Sequence, residues 1–154
     1  MKPRISIIAV GGLKESCLLG AADIYLNRLR PVYDISVIEL PDEPAPDHLS
    51  AAGRQAVLAC EGRRILNRLT PLSIKASLAV DGRLADLSFF CDLINKARFE
   101  NRRLEFIIGG SLGLSDSVLR QSDYKISLSR LTFPHRLSRL LLLEILCEAT
   151  ISKM

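Results

Sequence analysis

Aromatic residues are scarce in this chain: no tryptophan, three tyrosines and five phenylalanines in 154 residues. That shortage excludes the aromatic-rich motifs that read single-stranded RNA by stacking. Cysteine is sparse too. Cys17, Cys60, Cys91 and Cys147 lie far apart in apolar or helical contexts, and no pair has the close spacing of a zinc or redox motif, so reduced structural thiols and no metal are expected. Long apolar runs are missing. The most apolar run, LLLLEIL at 140–146, falls far short of the roughly 20 residues of a membrane span. The short apolar run in MKPRISIIAV has no small-residue cleavage site after it, so a cytoplasmic protein with no membrane association is expected. Neither an internal repeat nor a low-complexity tract is visible.

The composition that remains suits one compact unit. Hydrophobic residues make up 48%, enough for a single substantial core, and one domain over residues 1–154 is the expectation. Lysine plus arginine number 21 against 17 aspartate plus glutamate, a formal charge of +4, which suits a polyanionic partner without demanding one.

Strand and helix signals alternate. Arg4 to Val10 is a near-continuous apolar run stopped by Gly11 and Gly12, as in a strand buried on both faces. A helix follows in KESCLLGAADIYLNRLR, with Leu18, Ala22, Tyr25, Leu26 and Leu29 on one stripe, and Pro31 ends it. Asp34 to Leu40 is a second strand. Asp47 then caps a helix reaching about Leu69, weakened locally by Gly53 and Gly62. Ile74 to Val80 is the third strand, closed by an Asp81-Gly82 turn. Asp86 caps the next helix, whose stripe is Leu87, Phe90, Leu93, Ile94 and Ala97. Leu104 to Ile108 and Tyr124 to Leu128 are strands four and five, separated by a short helix that Ser115 and Asp116 cap. The last helix begins at about Pro134. This alternation predicts an α/β fold, a parallel sheet with helices on both faces and ligands at the strand C-terminal ends. The loops after strands three, four and five fall on that edge.

GGSLGL, after strand four, is neither the G-x-G-x-x-G dinucleotide fingerprint nor a P-loop. By itself it is either a turn needing positive φ or a ligand loop; with SRLTFPH beside it, a nucleoside-like ligand is expected. Backbone groups would read its base and Leu78, Leu131 and Phe133 would form apolar walls. His135, at a helix start where the dipole favours neutral imidazole, is a hydrogen-bond partner or base, or merely a surface histidine. Arg136 and Arg139 are placed to meet a phosphate, or are ordinary surface arginines. The leucines of the last helix form too wide a stripe for one wet face and predict a homodimer through that helix, the alternative being full burial.

Four blocks, AVGGLKE at 9–15, ELPDEPAP at 39–46, FIIGGSLGLS at 106–115 and LSRLTFPHRLSRLLLLEIL at 128–146, occur in an order that resembles the ribosomal RNA large subunit methyltransferase H family of the SPOUT class. The resemblance spans about the whole chain. It implies a SPOUT-type sheet with a C-terminal trefoil knot, S-adenosylmethionine as cofactor, and a homodimer that methylates N3 of a pseudouridine in large-subunit ribosomal RNA within the assembled ribosome. The matching cofactor positions are Leu78, Gly109, Leu128, Ser129, Arg130, Leu131, Thr132 and Phe133. Members carry a proline-tyrosine-histidine segment beyond the last helix, but no tyrosine or histidine follows His135 here. His135 and Arg139 are the nearest candidates for catalysis. Gly12 stands where the family has lysine. Two readings follow: an active methyltransferase, or a dimeric relative that binds the cofactor without turnover.

Overall fold

The computed structural model describes residues 1–152. In chain order the elements are β1 (Arg4–Val10), α1 (Ser16–Leu29), β2 (Asp34–Leu40), α2 (Ala51–Leu66), β3 (Ile74–Leu84), α3 (Leu87–Phe99), β4 (Leu104–Ile108), α4 (Asp116–Gln121), β5 (Tyr124–Ser127) and α5 (His135–Ile151). The strands form one sheet in the order β2-β1-β4-β3-β5, and every pairing is parallel.

The apolar runs of β1 and β4 are continuous because both of their faces are covered. Ile5, Ile7, Leu104 and Phe106 turn towards a core shared with Leu29, Phe90, Ile94, Leu142 and Leu146. The alternate residues Ile8, Val10 and Ile107 meet Leu40, Ile65 and Val118 on the other side. Helices α1, α3 and α5 therefore lie on one face and α2 and α4 on the other.

Several expected boundaries shift for local reasons. Ser50, not Asp47, caps α2: its hydroxyl accepts from the Gly53 amide at 3.0 Å, which ends the proline-punctuated loop later than the sequence suggests. The helix stops at Leu66 rather than Leu69. Asp81-Gly82 does not close β3. Leu78 and Arg83 both pair with Ile126, so residues 79–82 arch out as a bulge inside a strand that runs on to Leu84. Pro134 is the residue before α5, with ψ at 137°, and His135 is the first helical residue. Asp86 and Ser115 cap as expected, accepting from Phe89 and Val118. Gly62 has a packing reason: a Cβ there would lie 2.4 Å from Ser115 Oγ, so its absence lets α2 meet the start of α4.

The leucines of α5 are mostly spent inside the subunit. Leu142, Leu143 and Leu146 are fully buried, and Leu140 and Ile145 pack on the same core. Within the subunit α1 and α3 cover the inner part of this stripe, whereas Leu137 is 38% exposed. All four cysteines are free thiols, as expected. Among the described residues no helix is long and apolar enough to cross a membrane, and no cluster of metal-ligating side chains occurs.

Candidate functional site

The C-terminal ends of β3, β4 and β5 open into a cavity of about 520 Å³. Each wall comes from one of the three loops singled out in the sequence. The β3 wall is Leu78, Ala79 and Val80, the last two carried by the bulge. That bulge depends on Gly82, since a Cβ there would stand 2.8 Å from the Lys125 carbonyl group on β5.

The β4 wall is Ile108, Gly109, Gly110, Ser111 and Gly113. Gly109 must lack a side chain, because a Cβ would lie 2.4 Å from the Gly113 carbonyl oxygen and 2.6 Å from its carbon. The loop is pinched by the Gly113 amide donating to Gly110 O at 3.1 Å, and Gly113 sits at φ +83°, a conformation glycine adopts at little cost.

The β5 wall runs from Ile126 to Ser129 and from Leu131 into α5 at His135 and Ser138. Ser127 Oγ donates to Ser129 O at 2.6 Å, and Ser129 Oγ accepts from the Leu131 amide at 3.0 Å. These two bonds fold the loop back on its strand. Leu78, Gly109, Leu128, Ser129, Leu131, Thr132 and Phe133 all line the cavity; Arg130 does not, and its side chain is exposed.

His135 lines the cavity and is half-buried. Burial, then the neighbouring Arg136 cation, holds its imidazole below the usual histidine range, with Asp42 acting in the opposite sense. It is therefore neutral at pH 7. Its Nε2 lies 3.6 Å from where a Cβ on Gly11 would be, and Gly11 has φ +84°.

The arginines are placed differently from the expectation that they would meet a phosphate. Arg139 is 3% exposed and lies behind the cavity, donating to Gly11 O at 2.6 Å and to Glu39 Oε1 at 3.0 Å. Arg136 is held by Glu15 at 2.8 Å. Both guanidiniums already have carboxylate partners.

Glu61 of α2 was not legible as a site residue. It is 4% exposed, and a Cβ on Gly110 would stand 2.9 Å from its Oε2 and 3.0 Å from its Oε1. Oε2 has no hydrogen-bond partner. Burial raises its pKa, opposed by the Glu43 backbone amide and raised further by Asp42. The carboxyl thus underlies the glycine loop from the second face of the sheet. A glutamate within an amphipathic helix gives no sequence signal of this; only Gly110 hints at a close neighbour.

An apolar slot edged by backbone N–H and C=O groups and one neutral imidazole suits a nucleoside-bearing ligand. The chain is similar to proteins named ribosomal RNA large subunit methyltransferase H from Bacillus pumilus, at 43% identity over 91% of this chain and 89% of that one, and from Carboxydothermus hydrogenoformans, at 45% identity with the same coverage. Its fold resembles that of the SpoU methyltransferase AviRb from Streptomyces viridochromogenes, solved in complex with AdoMet, with a TM-score of 0.52 and 14% identity over 99% of this chain and 60% of that one. Residues 3–152 match the family described as predicted SPOUT methyltransferase, and the chain belongs to that family.

Proposed function

We propose that the protein is an S-adenosylmethionine-dependent methyltransferase acting on N3 of a pseudouridine in large-subunit ribosomal RNA, working as a cytoplasmic homodimer whose whole chain is one SPOUT domain. The observation that carries this reading is the cavity walled together by the loops after β3, β4 and β5, in a chain 43% identical to the Bacillus pumilus rRNA methyltransferase. The cavity fits the cofactor. Its volume lies within the ordinary range for ligands of this size, roughly 300–1,000 Å³. Leu78, Leu131 and Phe133 would hold the adenine faces, while backbone groups of Gly109 and Leu128 to Thr132 would meet the polar edges.

When bound, the cofactor supplies a methyl group on a sulfonium, which is a good leaving group. The chain must orient the acceptor nitrogen and take its proton. His135 suits the proton transfer, because its imidazole is neutral, faces the cavity, and sits at the first turn of α5. Arg139 acts as a positioning residue, since it ties α5 to the end of β1 through Gly11 and to β2 through Glu39.

The knot belongs to the same reading. β5 lies at one edge of the sheet while α5 packs on α1 and α3, so residues 128–134 return across the strand ends. For the homodimer the support is at the cavity edge, where Val80 is 61%, Leu84 51% and Leu131 70% exposed. Three apolar side chains so exposed on one edge suit an interface.

Transfer of labelled methyl from S-adenosylmethionine to ribosomes of a strain lacking this gene tests the proposal. Incorporation at the pseudouridine N3 is expected. Calorimetric binding of the cofactor without incorporation would leave a binding relative, and absence of both would overturn the reading.

A further inference from the structure

The cavity edge is not where the positive charge resides. In the connections at that edge, residues 11–15, 40–50, 79–86, 109–116 and 128–139, seven carboxylates outnumber five cations. At the opposite edge, residues 1–4, 30–34, 67–75, 98–105 and 122–124, eight cations stand against four carboxylates, an excess equal to the +4 of the entire chain. Helix dipoles do not account for this. Of the eight, Arg98 lies in the last turn of α3 and Arg30 is the C-cap of α1; the others sit in connections or strand starts.

Most of these cations are held by neutral acceptors rather than by carboxylates. Lys2 Nζ donates to Arg30 O at 3.1 Å, Arg4 to Asn101 O at 2.8 Å and Arg103 to Ser6 Oγ at 2.9 Å. Arg102 bonds Leu72 O at 2.6 Å and Ser73 O at 3.0 Å, holding Leu72 at φ +62°. Carbonyl and hydroxyl acceptors set geometry without cancelling charge. Among the described residues, Arg102 alone of the eight has a carboxylate partner, Glu100 at 2.9 Å. A cleft of about 130 Å³ opens between Lys2, Arg4, Arg98 and Arg102. Beside it in sequence Phe99 is 93% exposed. An exposed ring among unneutralised cations is the combination that grips single-stranded nucleic acid, the cations on phosphates and the ring on a base.

We propose that this N-terminal edge of the sheet is a second RNA-binding surface, which holds the phosphate backbone of the ribosomal RNA remote from the cavity while Phe99 stacks on an unpaired base. The inference rests on the rRNA methyltransferase reading. Its test compares the double variant Lys2→Glu/Arg98→Glu, and separately Phe99→Ala, with the wild type. Cofactor affinity and melting temperature serve as folding controls. For methylation of assembled ribosomes, the charge reversal should raise KM at least about tenfold with kcat little changed. It should also flatten the slope of log KM against log salt by about 0.7–0.9 for each phosphate no longer neutralised. Phe99→Ala should raise KM about tenfold and leave the salt slope intact.

A wild type that methylates ribosomes while both variants keep its KM and salt slope overturns the proposal. So does loss of binding to phosphatidylglycerol vesicles with ribosome KM unchanged, which would assign the edge to a membrane surface. If the wild type methylates no ribosomes, the functional reading fails first. The surface is then decided by anisotropy of a labelled ribosomal RNA hairpin with the same variants: weakened binding upholds it and equal binding overturns it.

Discussion

Gly109→Ala should disable the cavity without unfolding the protein. The new Cβ would lie 2.4 Å from the Gly113 carbonyl oxygen, where ordinary van der Waals separation begins near 3.4 Å. The overlap of about 1 Å is with backbone, so no side-chain rotation relieves it. Relief requires the loop to open, which breaks the Gly113 amide bond to Gly110 O. One hydrogen bond contributes about 1 kcal/mol net, and forced overpacking typically costs about 1–3 kcal/mol. A total of about 2–4 kcal/mol corresponds to an affinity loss of about 30-fold to 1,000-fold if the binding-competent loop must be restored. Gly113→Ala is the internal comparison. Nothing lies within 4 Å of its Cβ position, so only the left-handed backbone penalty of about 1–2 kcal/mol applies. Calorimetric titration with S-adenosylmethionine, at equal folded fraction by circular dichroism, measures both. Wild-type affinity in Gly109→Ala, or a greater loss in Gly113→Ala, would refute the reasoning.

Three further outcomes follow from the same geometry. Arg139→Met leaves the buried Gly11 carbonyl without the donor it has at 2.6 Å and should cost about 1–3 kcal/mol in urea unfolding; an unchanged midpoint would contradict the clamp. His135 has a folded pKa below its ordinary 6.5, so its neutral form is the one the fold favours. Its stability contribution is complete above pH 6.5 and is lost as the pH falls through the lowered value. Unfolding of wild type and His135→Asn between pH 5 and 8 should therefore diverge only on the acid side, and a difference confined to alkaline pH would reverse the assignment. Glu61 has a raised pKa, so the protonated carboxyl is favoured and wild-type stability falls as pH rises through that value. Glu61→Gln should match the wild type in acid and exceed it near pH 8; parallel pH profiles would remove the burial argument.

The sheet was legible because its signals are local. Five apolar runs bounded by Gly, Pro or Asp mark the five strands, and the stripe of Leu93, Ile94 and Ala97 marks α3 together with its buried face. The cavity was legible in outline, since Leu78, Gly109 and the 128–133 segment meet in it. What escaped depends on distant partners. Arg139 reads as a surface cation until Glu39 and Gly11 are brought beside it from β2 and the end of β1. Asp81-Gly82 reads as a turn, yet pairing with Ile126 on either side of it makes a bulge. The wide leucine stripe of α5 left both burial and an outside partner open, because composition does not reveal that two helices, α1 and α3, cover Leu142, Leu143 and Leu146.

The position of α5 has a consequence for when the site comes into being. The helix docks on α1, whose residues leave the ribosome more than a hundred positions earlier. The residues that close the cavity, 128–138, lie between β5 and that docking surface. During synthesis the N-terminal elements can pair as they emerge, but long-range closures form late because their loop entropy is recovered only at the end. The ligand pocket is thus completed only when the last helix has been released, and a nascent chain arrested before α5 would carry 134 of its 154 residues and none of the activity.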